Sequence, residues 1–529
     1  MSKSYKVIDL FAGPGGLAEG FASVRAGRHR PFEIALSVEK EPTAHSTLRL
    51  RSFLRQFPDA LPAEYLPYLA GTTGQPEWSA LYPCQWAAAE EHALKLELGT
   101  KAASEALAPR LAELALEDTI VIGGPPCQAY SIAGRSRNQG KEDYEAREDA
   151  RHFLYREYIR ILKAVKPVAF VMENVKGLLT AQVDGVRILD LVLADLRSAG
   201  GEPDSYRLIA LSPPGSDLLD DEPAIGADFV IRAEQHGVPQ ARHRIIIVGV
   251  RADHAASLGL GSRRRWAGPD DSAPANIEDA LAGLPDLRSG LTGSADFQAW
   301  RDALIDQMNK VIAAAQTSDL ADVRDIAEEA TQLRDAFSMR CPVLPRSSST
   351  GTGIGLGCPT ELAAWLQGVA GGRVANHASR AHMARDLGRY FFAAVYAKVH
   401  GHSPKAKHFP SQLAPEHRNW ASGHFTDRFR VQARGRPSTT VTSHISKDGH
   451  YFIHPDPLQC RALTVREAAR LQTFPDDYLF LGNRTAQYVQ VGNAVPPFLA
   501  RKIGQTILDM LAGASEAVEP QTVGARGAI

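Results

Sequence analysis

The N-terminal segment of the chain joins an apolar strand, a glycine-rich turn and the beginning of a helix. Val7 to Leu10 predicts the strand, Gly13-Pro-Gly-Gly16 predicts the turn, and Leu17, Phe21 and Val24 lie at helical spacing. Glycines in such a turn let the backbone approach a nucleotide-like ligand closely, and the helix N-terminus can face an anionic group. The segment therefore favours folds that are built from strand–turn–helix units.

A second strand, Phe32 to Val38, ends in Glu39. This is about the distance downstream at which an acidic residue in these folds holds ribose hydroxyls. Together, the turn and Glu39 predict a site for an adenosine-type cofactor. The alternative is a purely structural turn in which Asp9 braces the loop.

A cysteine follows another predicted strand. Thr119 to Ile122 indicates a buried strand, and Gly123-Gly-Pro-Pro126 ends it because two prolines cannot continue a ladder. Cys127 is therefore expected in the crevice beyond the strand's carboxyl end, where α/β sheets bind ligands. We interpret Cys127 as a candidate nucleophile; a small residue that fills a gap in the core is the alternative.

The stretch after Ser131 is polar and punctuated by glycine, which is typical of a mobile loop. Such a loop could close over a substrate and contact phosphates through Arg135 and Arg137. A solvated connector with charged residues is the alternative interpretation.

Further polar groups follow later strands. A helix from about 149 to 166 precedes a strand that ends in Glu173, which would pair with a base's ring nitrogen and amino group or, alternatively, cap a helix or form an ion pair. Arg242 and Arg244 alternate along another predicted strand and are expected to share a face that suits an anionic ligand. The alternation of strands and helices predicts a doubly wound α/β fold.

Composition limits the remaining possibilities. A chain of 529 residues suffices for two or three domains, and its net charge of -1 gives no global sign of nucleic-acid binding. The five cysteines are scattered, which argues against a disulfide framework or zinc site and favours a reducing cytoplasm. The sequence contains no signal peptide and no run of membrane-spanning length, so we expect an intracellular protein.

The middle of the chain, 251–454, is expected to be rich in loops, with a helical insert at 295–339. Between Gly372 and Arg436 there are twelve Lys and Arg residues against three acidic residues, which predicts a local basic surface for phosphate and base contacts. A solvated charged face is the alternative.

Near the C-terminus, Thr464 and Glu467 form a capping-box pattern before a short helix. The turn at Gly492-Asn493 precedes a last helix that extends to about Leu511, and a cofactor pocket shared with the N-terminus would explain this turn. The small-residue tail, 513–529, is expected to be disordered.

Together, these segments resemble the DNA (cytosine-5)-methyltransferases of bacterial restriction-modification type. The resemblance is carried, in the family's order, by Asp9-Leu-Phe-Ala-Gly-Pro-Gly-Gly16, Pro125-Pro-Cys-Gln128, Glu173-Asn-Val175, Gln240-Ala-Arg-His-Arg244, Arg466-Glu467 to Phe474-Pro475, and Gly492-Asn493-Ala-Val.

The resemblance implies a Rossmann-like methyltransferase sheet built from 1–250 and 455–512, with 251–454 as a target-recognition domain. It makes Cys127 the nucleophile and Glu173 the partner of the cytosine ring, with Arg244 and Arg242 orienting the base. The implied S-adenosylmethionine site comprises Phe11, Ala12, Gly13, Gly15, Gly16, Leu17, Glu39, Pro126, Leu154, Asn493 and Ala494. The implied DNA contacts are Ser131, Arg135, Arg137 and Thr442.

The implied reaction transfers a methyl group from S-adenosylmethionine to C5 of a flipped-out cytosine, through a covalent adduct of Cys127 at C6 and without a metal. The implied partners are double-stranded DNA and a cognate restriction endonuclease encoded nearby, and we expect a monomer in the bacterial cytoplasm. Two features depart from the family. Lys40 follows Glu39 where many relatives have an aromatic or small residue, and the sequence does not identify the acidic residue expected after the third strand.

Three rival interpretations remain. An RNA cytosine methyltransferase could share every catalytic motif, although the long basic middle segment favours DNA. A catalytically silent DNA-binding relative is disfavoured by the presence of Cys127, Glu173 and Arg244. A nicotinamide-dependent oxidoreductase would explain only the first glycine turn and Glu39.

Overall fold

The structure is a computed structural model of the whole chain. It describes residues 3–114, 119–126, 154–183, 185–212, 226–258, 265–267, 273–340, 343–355, 357–415, 420 and 428–512. No helix within these ranges is both long enough and apolar enough to span a membrane.

A single large sheet organises the described part of the chain. The strands are β1 (Tyr5–Leu10), β2 (Phe32–Glu39), β3 (Ala93–Lys95), β4 (Thr119–Gly123), β5 (Ala169–Val175), β6 (Gln182–Val183), β7 (Val186–Arg187), β8 (Tyr206–Ser212), β9 (Val230–Arg232), β10 (Gln240–Ala241), β11 (His243–Arg251), β12 (Arg265–Ala267), β13 (Gly290–Leu291), β14 (Ala381–His382) and β15 (Ser438–Thr439). The main path through the sheet is β12-β8-β11-β5-β4-β1-β2-β3, and β9 pairs with β11 beside it. The remaining strands form three short pairs: β6 with β7, β10 with β15, and β13 with β14.

The directions of the strands match a doubly wound fold. Strands β3, β2, β1, β4 and β5 run parallel to one another, whereas β11 runs antiparallel to both β5 and β8. Every residue of β4 is buried, as expected for a parallel strand that is covered on both faces. The predicted α/β fold class is therefore confirmed.

Helices cover the sheet, and further helices lie in the middle segment of the chain. Those in the first half are α1 (Gly16–Ser23), α2 (Pro42–Arg55), α3 (Tyr65–Leu69), α4 (Trp78–Leu81), α5 (Pro83–His92), α6 (Lys101–Glu113), α7 (Leu154–Val165), α8 (Ile188–Arg197) and α9 (Ala252–Ser257). Those in the second half are α10 (Ile277–Leu281), α11 (Phe297–Gln316), α12 (Ala321–Arg324), α13 (Ala327–Arg340), α14 (Thr360–Gln367), α15 (Ala384–His400), α16 (Val465–Leu471), α17 (Arg484–Asn493) and α18 (Pro497–Leu511). Short 3₁₀ segments lie at Lys176–Leu179, Gly226–Phe229, Ala233–His236, Ala406–His408, Ser411–Leu413 and Ser443–Ser446.

Two apolar clusters cover the two faces of the sheet. One cluster contains side chains of α1 and α18, including Phe21 and Phe498. The other contains side chains of α7 and α8, including Tyr158 and Leu189. The last helix of the described chain therefore packs on the same face of the sheet as the first.

Two glycines permit the close approach of α1 to the C-terminal segment. A Cβ atom at Gly16 would lie 2.3 Å from the carbonyl oxygen of Val495, and one at Gly20 would lie 2.4 Å from the Cβ of Ala500. Both distances are well below van der Waals contact, so only glycine fits at these two positions. The turn before α18 is thereby held against the turn before α1.

Several predictions about secondary structure are confirmed and others are wrong. The capping box of Thr464 and Glu467 is present at α16, and α18 ends at Leu511 as predicted. The Ala/Leu-rich segment after α2 contains the short edge strand β3 in addition to helices α3 to α6. The middle of the chain contains α15 in addition to the helices of the predicted insert, and α11 and α15 pack together in one core.

The predicted basic surface of 372–436 is weaker than its composition indicates. Arg380 and Arg389 are buried and donate to backbone carbonyls of Ile445 and Leu413, respectively. Three further cations, on Lys398, Arg428 and Arg434, form ion pairs with acidic side chains. A count of charges cannot distinguish such structural cations from those that remain available to a polyanion.

The predicted domain boundaries at 250, 454 and 512 stay predictions. Both sides of the boundary at 454 contribute to one apolar cluster, which contains Ile445 and Phe452 together with Leu463 and Phe474. The expected disordered tail, 513–529, and the first residues of the helix predicted from 149 lie outside the described residues.

We predict that Gly20→Ala destabilises the protein. The added methyl group would lie 2.5 Å from both the amide nitrogen of Arg501 and the carbonyl oxygen of Pro497, which forces α1 and α18 apart. Overpacking of this kind costs about 1–3 kcal/mol of unfolding free energy. Alanine otherwise favours a helix over glycine by about 1 kcal/mol, so a loss of stability identifies the steric clash.

Gly74→Ala is the matched control, because a Cβ atom at Gly74 has no neighbour within 4 Å. Thermal and chemical unfolding measure both variants. An unchanged or raised stability of Gly20→Ala would contradict the packing of α1 on α18.

Candidate cofactor and catalytic site

Three loops emerge side by side from one edge of the sheet. Leu10 of β1 pairs with Gly123 of β4, and Gly123 pairs in turn with Met172 of β5. The glycine turn, the Pro125-Pro126 turn and Glu173 therefore leave three neighbouring parallel strands at the same level. This edge is where doubly wound sheets bind their ligands.

The glycine turn has an unusual backbone. Phe11, Gly13 and Gly15 have φ angles of 56°, 57° and 100°, all in the left-handed region. The turn is closed by hydrogen bonds from the Ala12 amide to the Val38 carbonyl (3.0 Å) and from the Gly15 amide to the Ala12 carbonyl (2.9 Å). A Cβ atom at Gly13 would have no neighbour within 4 Å, so the turn offers an open backbone surface there.

Glu39 connects this turn to the start of α2. Its Oε2 accepts a hydrogen bond from the Gly13 amide at 2.8 Å, and its Oε1 accepts one from the Glu41 amide at 2.7 Å. Burial raises the pKa of the Glu39 carboxyl, although these backbone donors oppose the rise. The carboxylate is thus fixed beside the open part of the turn.

An acidic residue that sequence reasoning missed lies next to Glu39. Glu97 follows β3, and its Oε1 lies 3.0 Å from the Nζ of Lys40. The side chain of Leu154 lies near the same segment. A Cβ atom at Gly99 would lie 3.6 Å from the Cδ2 atom of Leu154. Glu97 is brought close to Lys40 by the short strand β3, which ends two residues before it. A strand of three residues in an Ala/Leu-rich segment shows too little periodicity to be predicted from the sequence.

Asp9 is the second-to-last residue of β1, and its side chain is buried. Neither of its carboxylate oxygens has a hydrogen-bond partner that meets ordinary geometry. Burial raises the pKa of the Asp9 carboxyl to about 8; the Arg55 guanidinium opposes the rise and Glu39 adds to it. The edge of the sheet therefore contains two carboxyl groups whose pKa values are raised by burial.

The C-terminal segment completes this side of the site. Gly492 touches the segment after β15, because a Cβ atom there would lie 2.2 Å from the amide nitrogen of Ser443 and from the carbonyl carbon of Thr442. Asn493 and Thr442 are both exposed, whereas Ala494 is buried. Of the predicted cofactor residues, Leu17 differs most from expectation, because its side chain packs in the core with Phe21.

The second half of the site is an ion pair between β5 and β11. Glu173 Oε1 lies 2.9 Å from Arg244 Nε, and both side chains are about nine-tenths buried, with 13% and 14% exposure. The antiparallel register places Ile246 opposite Glu173, so Arg244 reaches Glu173 from two residues along β11. Burial lowers the pKa of the Arg244 guanidinium, and the Glu173 carboxylate opposes that shift.

The Pro125-Pro126 turn lies directly against Glu173. The amide Nδ2 of Asn174 donates to the carbonyl oxygen of Pro125 at 3.3 Å, and Asn174 Oδ1 accepts from the Val175 amide at 2.8 Å. A Cβ atom at Gly124 would lie only 2.9 Å from Glu173 Oε2. Asn174 and Gly124 therefore hold the start of the turn next to the Glu173 carboxylate.

Arg242 does not share the partner of Arg244. It lies between β10 and β11, where the strand is interrupted, and its Nη1 donates to the carbonyl oxygen of Val441 at 2.9 Å. Burial lowers the pKa of the Arg242 guanidinium well below its usual value; nearby Arg244 adds to the shift and Glu173 opposes it. The two arginines therefore do not share a face as expected: Arg244 pairs with Glu173, whereas Arg242 binds the segment that precedes Thr442.

Four of the predicted site residues, Cys127, Ser131, Arg135 and Arg137, lie outside the described residues. The described residues reach Pro126, one residue before Cys127. Within the described ranges, no group of three or more His, Cys, Asp or Glu side chains is arranged to hold a metal ion.

Comparison with known proteins identifies the family. A family model described as C-5 cytosine-specific DNA methylase matches residues 108–509. The chain belongs to this family. The match includes the Pro125-Pro126 turn, Glu173, Arg244 and the C-terminal helices α16 to α18.

Individual relatives extend the similarity to nearly the full chain. The type II methyltransferase M.Bpa9945I of Bacillus paralicheniformis is 32% identical over 96% of this chain and 99% of its own length. The type II methyltransferase M.AgeI of Thalassovita gelatinovora is 27% identical over 95% of this chain and 99% of its own length. The DNA (cytosine-5-)-methyltransferase M.ApeKI of Aeropyrum pernix is 26% identical over 74% of this chain and 81% of its own length.

These findings confirm the resemblance to cytosine-5 methyltransferases of bacterial restriction-modification systems. The protein is a DNA (cytosine-5-)-methyltransferase, and membership of this family implies the use of S-adenosylmethionine. The nicotinamide-dependent oxidoreductase is thereby excluded.

We predict that Gly124→Ala lowers the rate of methyl transfer. The added methyl group would collide with Glu173 Oε2 and displace the carboxylate from its position beside Arg244. A misplacement of about 1 Å at a reacting group costs roughly 100-fold in rate. The turnover number should therefore fall by a larger factor than the affinity for S-adenosylmethionine.

Steady-state methylation and calorimetric titration of the cofactor separate the two effects. Gly74→Ala serves again as the matched glycine substitution. Full activity of Gly124→Ala would show that the turn does not position Glu173.

Proposed function

We propose that this protein methylates C5 of a flipped-out cytosine in a specific double-stranded DNA sequence through a covalent adduct of Cys127. We further propose that it acts as a monomer in the bacterial cytoplasm and protects host DNA from a cognate restriction endonuclease. The observation that carries the proposal is the buried Glu173–Arg244 pair beside the Pro125-Pro126 turn that leads directly into Cys127.

The cofactor side of the site fits S-adenosylmethionine. Glu39 and Glu97 would accept hydrogen bonds from ribose hydroxyls and the adenine amino group, and Leu154 would pack against the adenine ring. Phe11, Ala12 and the backbone at Gly13, Gly15 and Gly16 would line the turn around the ligand, and Pro126, Asn493 and Ala494 would close its other side. When bound, the cofactor supplies an electrophilic methyl group.

Cys127 would activate the cytosine. C5 of cytosine is a weak nucleophile, so the Cys127 thiolate adds to C6, and the electron pair of the C5–C6 bond becomes available at C5. C5 then takes up the methyl group. Removal of the C5 proton by a base restores the C5–C6 double bond, breaks the bond between C6 and sulfur, and releases Cys127.

Glu173 and Arg244 would stabilise the charge that develops in the ring. Addition at C6 increases electron density at N3, and Glu173 would face N3 while one of its oxygens accepts a hydrogen bond from the exocyclic amino group. Arg244 holds the carboxyl group in place and can approach the O2 atom of the base. Such prearranged donors are typically the largest contribution to catalysis in a site that excludes water.

The substrate must leave the DNA helix to reach this edge, since C5 and C6 are inaccessible to a thiolate in stacked duplex DNA. Ser131, Arg135 and Arg137 would contact the DNA. Thr442 is exposed beside Asn493 and would contact a phosphate. Residues 251–454 would form the recognition domain, with 1–250 and 455–512 forming the catalytic domain.

We predict that expression of the protein in a host without cytosine methylation produces 5-methylcytosine in one short DNA motif. Cys127→Ser should abolish the modification, and Glu173→Gln should lower the rate by about 100-fold or more, the loss typical of a removed charge-stabilising group. Base-resolution mapping of 5-methylcytosine measures all of these outcomes.

Cys84→Ser provides a matched control, because Pro83-Cys84-Gln85 repeats the tripeptide of the nucleophile loop and Cys84 is exposed on α5. This variant should methylate as the natural protein does. Unmodified DNA from cells that contain folded protein able to bind S-adenosylmethionine would overturn the proposal and favour an RNA substrate.

A further inference from the structure

The carbonyl group of Pro14 lies on the side of the glycine turn that faces the C-terminal segment. There it accepts a hydrogen bond from the hydroxyl group of Tyr478, which is fully buried. The Tyr478 hydroxyl is also close to Gly15, the next residue of the turn. A Cβ atom at Gly15 would lie 3.2 Å from the hydroxyl oxygen. The side chain of Tyr478, more than 460 positions away in the sequence, thus supports the turn.

The ring of Tyr478 is itself held firmly. The guanidinium of Arg51 lies over it at 4.4 Å from the ring centre, and that guanidinium is bound to Glu19 Oε1 (2.5 Å) and Asp477 Oδ2 (3.0 Å). Phe474 packs on the ring at a centroid distance of 4.7 Å. The hydroxyl therefore has little freedom to leave Pro14.

The turn needs such support because its backbone is strained. Phe11 occupies the left-handed region although it is not a glycine, and conformations of this kind persist only when the surrounding structure determines them. The bonds described above fix Ala12, Gly13 and Gly15 from the side of the sheet. Tyr478 supplies the contact on the opposite side, at Pro14.

We propose that Tyr478 is a positioning residue for the cofactor: by holding Pro14, it keeps the turn in the conformation that binds S-adenosylmethionine. This inference rests on the proposed cofactor site. Tyr478 does not touch the cofactor, because its hydroxyl lies beneath the turn and its ring is enclosed by Arg51 and Phe474. Burial also raises the pKa of Tyr478, so its hydroxyl remains a donor throughout the working pH range.

Tyr478→Phe removes only the hydroxyl oxygen. We expect the dissociation constant and the KM for S-adenosylmethionine to rise about tenfold, the factor that corresponds to the loss of one ordinary hydrogen bond. The turnover number at saturating cofactor should stay within about twofold of the natural protein, because Glu173 and Arg244 do not depend on Pro14.

Tyr488→Phe is the matched control. Tyr488 is also fully buried, lies ten positions later in the same segment, and donates its hydroxyl to a backbone carbonyl, that of Leu463, at 2.6 Å. Both variants should lose similar stability, but only Tyr478→Phe should bind the cofactor more weakly. For each variant, the melting temperature with S-adenosylmethionine is compared with the melting temperature of the same variant without it. This difference reports cofactor binding separately from a change in the stability of the free protein.

Calorimetric titration, ligand-induced thermal shift and steady-state kinetics distinguish the possible results. Natural protein that fails to bind S-adenosylmethionine would contradict the proposed function itself. If the natural protein binds and Tyr478→Phe binds equally well, or if both variants lose affinity equally, the positioning role of Tyr478 is wrong. A selective loss in Tyr478→Phe with a retained turnover number supports it.

Discussion

The antiparallel pairing of β11 with β5 is the constraint on which the site depends. It brings Arg244 to within 2.9 Å of Glu173 at the edge where β1, β4 and β5 end together. A buried cation or carboxylate left alone there would be costly, so each charge requires the other. Because the pair is mostly withdrawn from water, the action on a base that we propose for it would need little reorganisation of solvent.

A buried network of amide groups connects this pairing to the rest of the chain. Gln240, just before β11, donates to the Leu471 carbonyl and to Gln472 Oε1, each at 3.0 Å, and accepts from the Val441 amide at 2.8 Å. The Nε2 of Gln472 in turn donates a hydrogen bond to the Val491 carbonyl at 2.8 Å. The end of the middle segment and the C-terminal helices are thus fixed to the strand that carries Arg244, which explains how distant motifs of one sequence meet at one edge.

The sequence predicts much of this arrangement, because strand exits marked by glycine, proline or a polar pair are local signals. It does not predict α15, a helix that is buried without interruption from Asp386 to Ala397. It also misses Glu97, which follows a strand of three residues, and it assigns Arg380 and Arg389 to a basic surface although both are buried. In each case, tertiary packing decides the outcome, and packing leaves no local periodicity.

The most direct test of the account is to identify the cysteine that bonds to the substrate. In DNA that contains 5-fluorocytosine, C5 carries no proton to remove, so the enzyme cannot eliminate from C6 after methyl transfer and stays attached. Mass spectrometry of the digested complex should find the modified base on the peptide that contains Cys127, and Glu173→Gln should reduce the yield of adduct. Attachment at Cys84, Cys341, Cys358 or Cys460, or the absence of any adduct from protein that methylates ordinary DNA, would contradict the central claim.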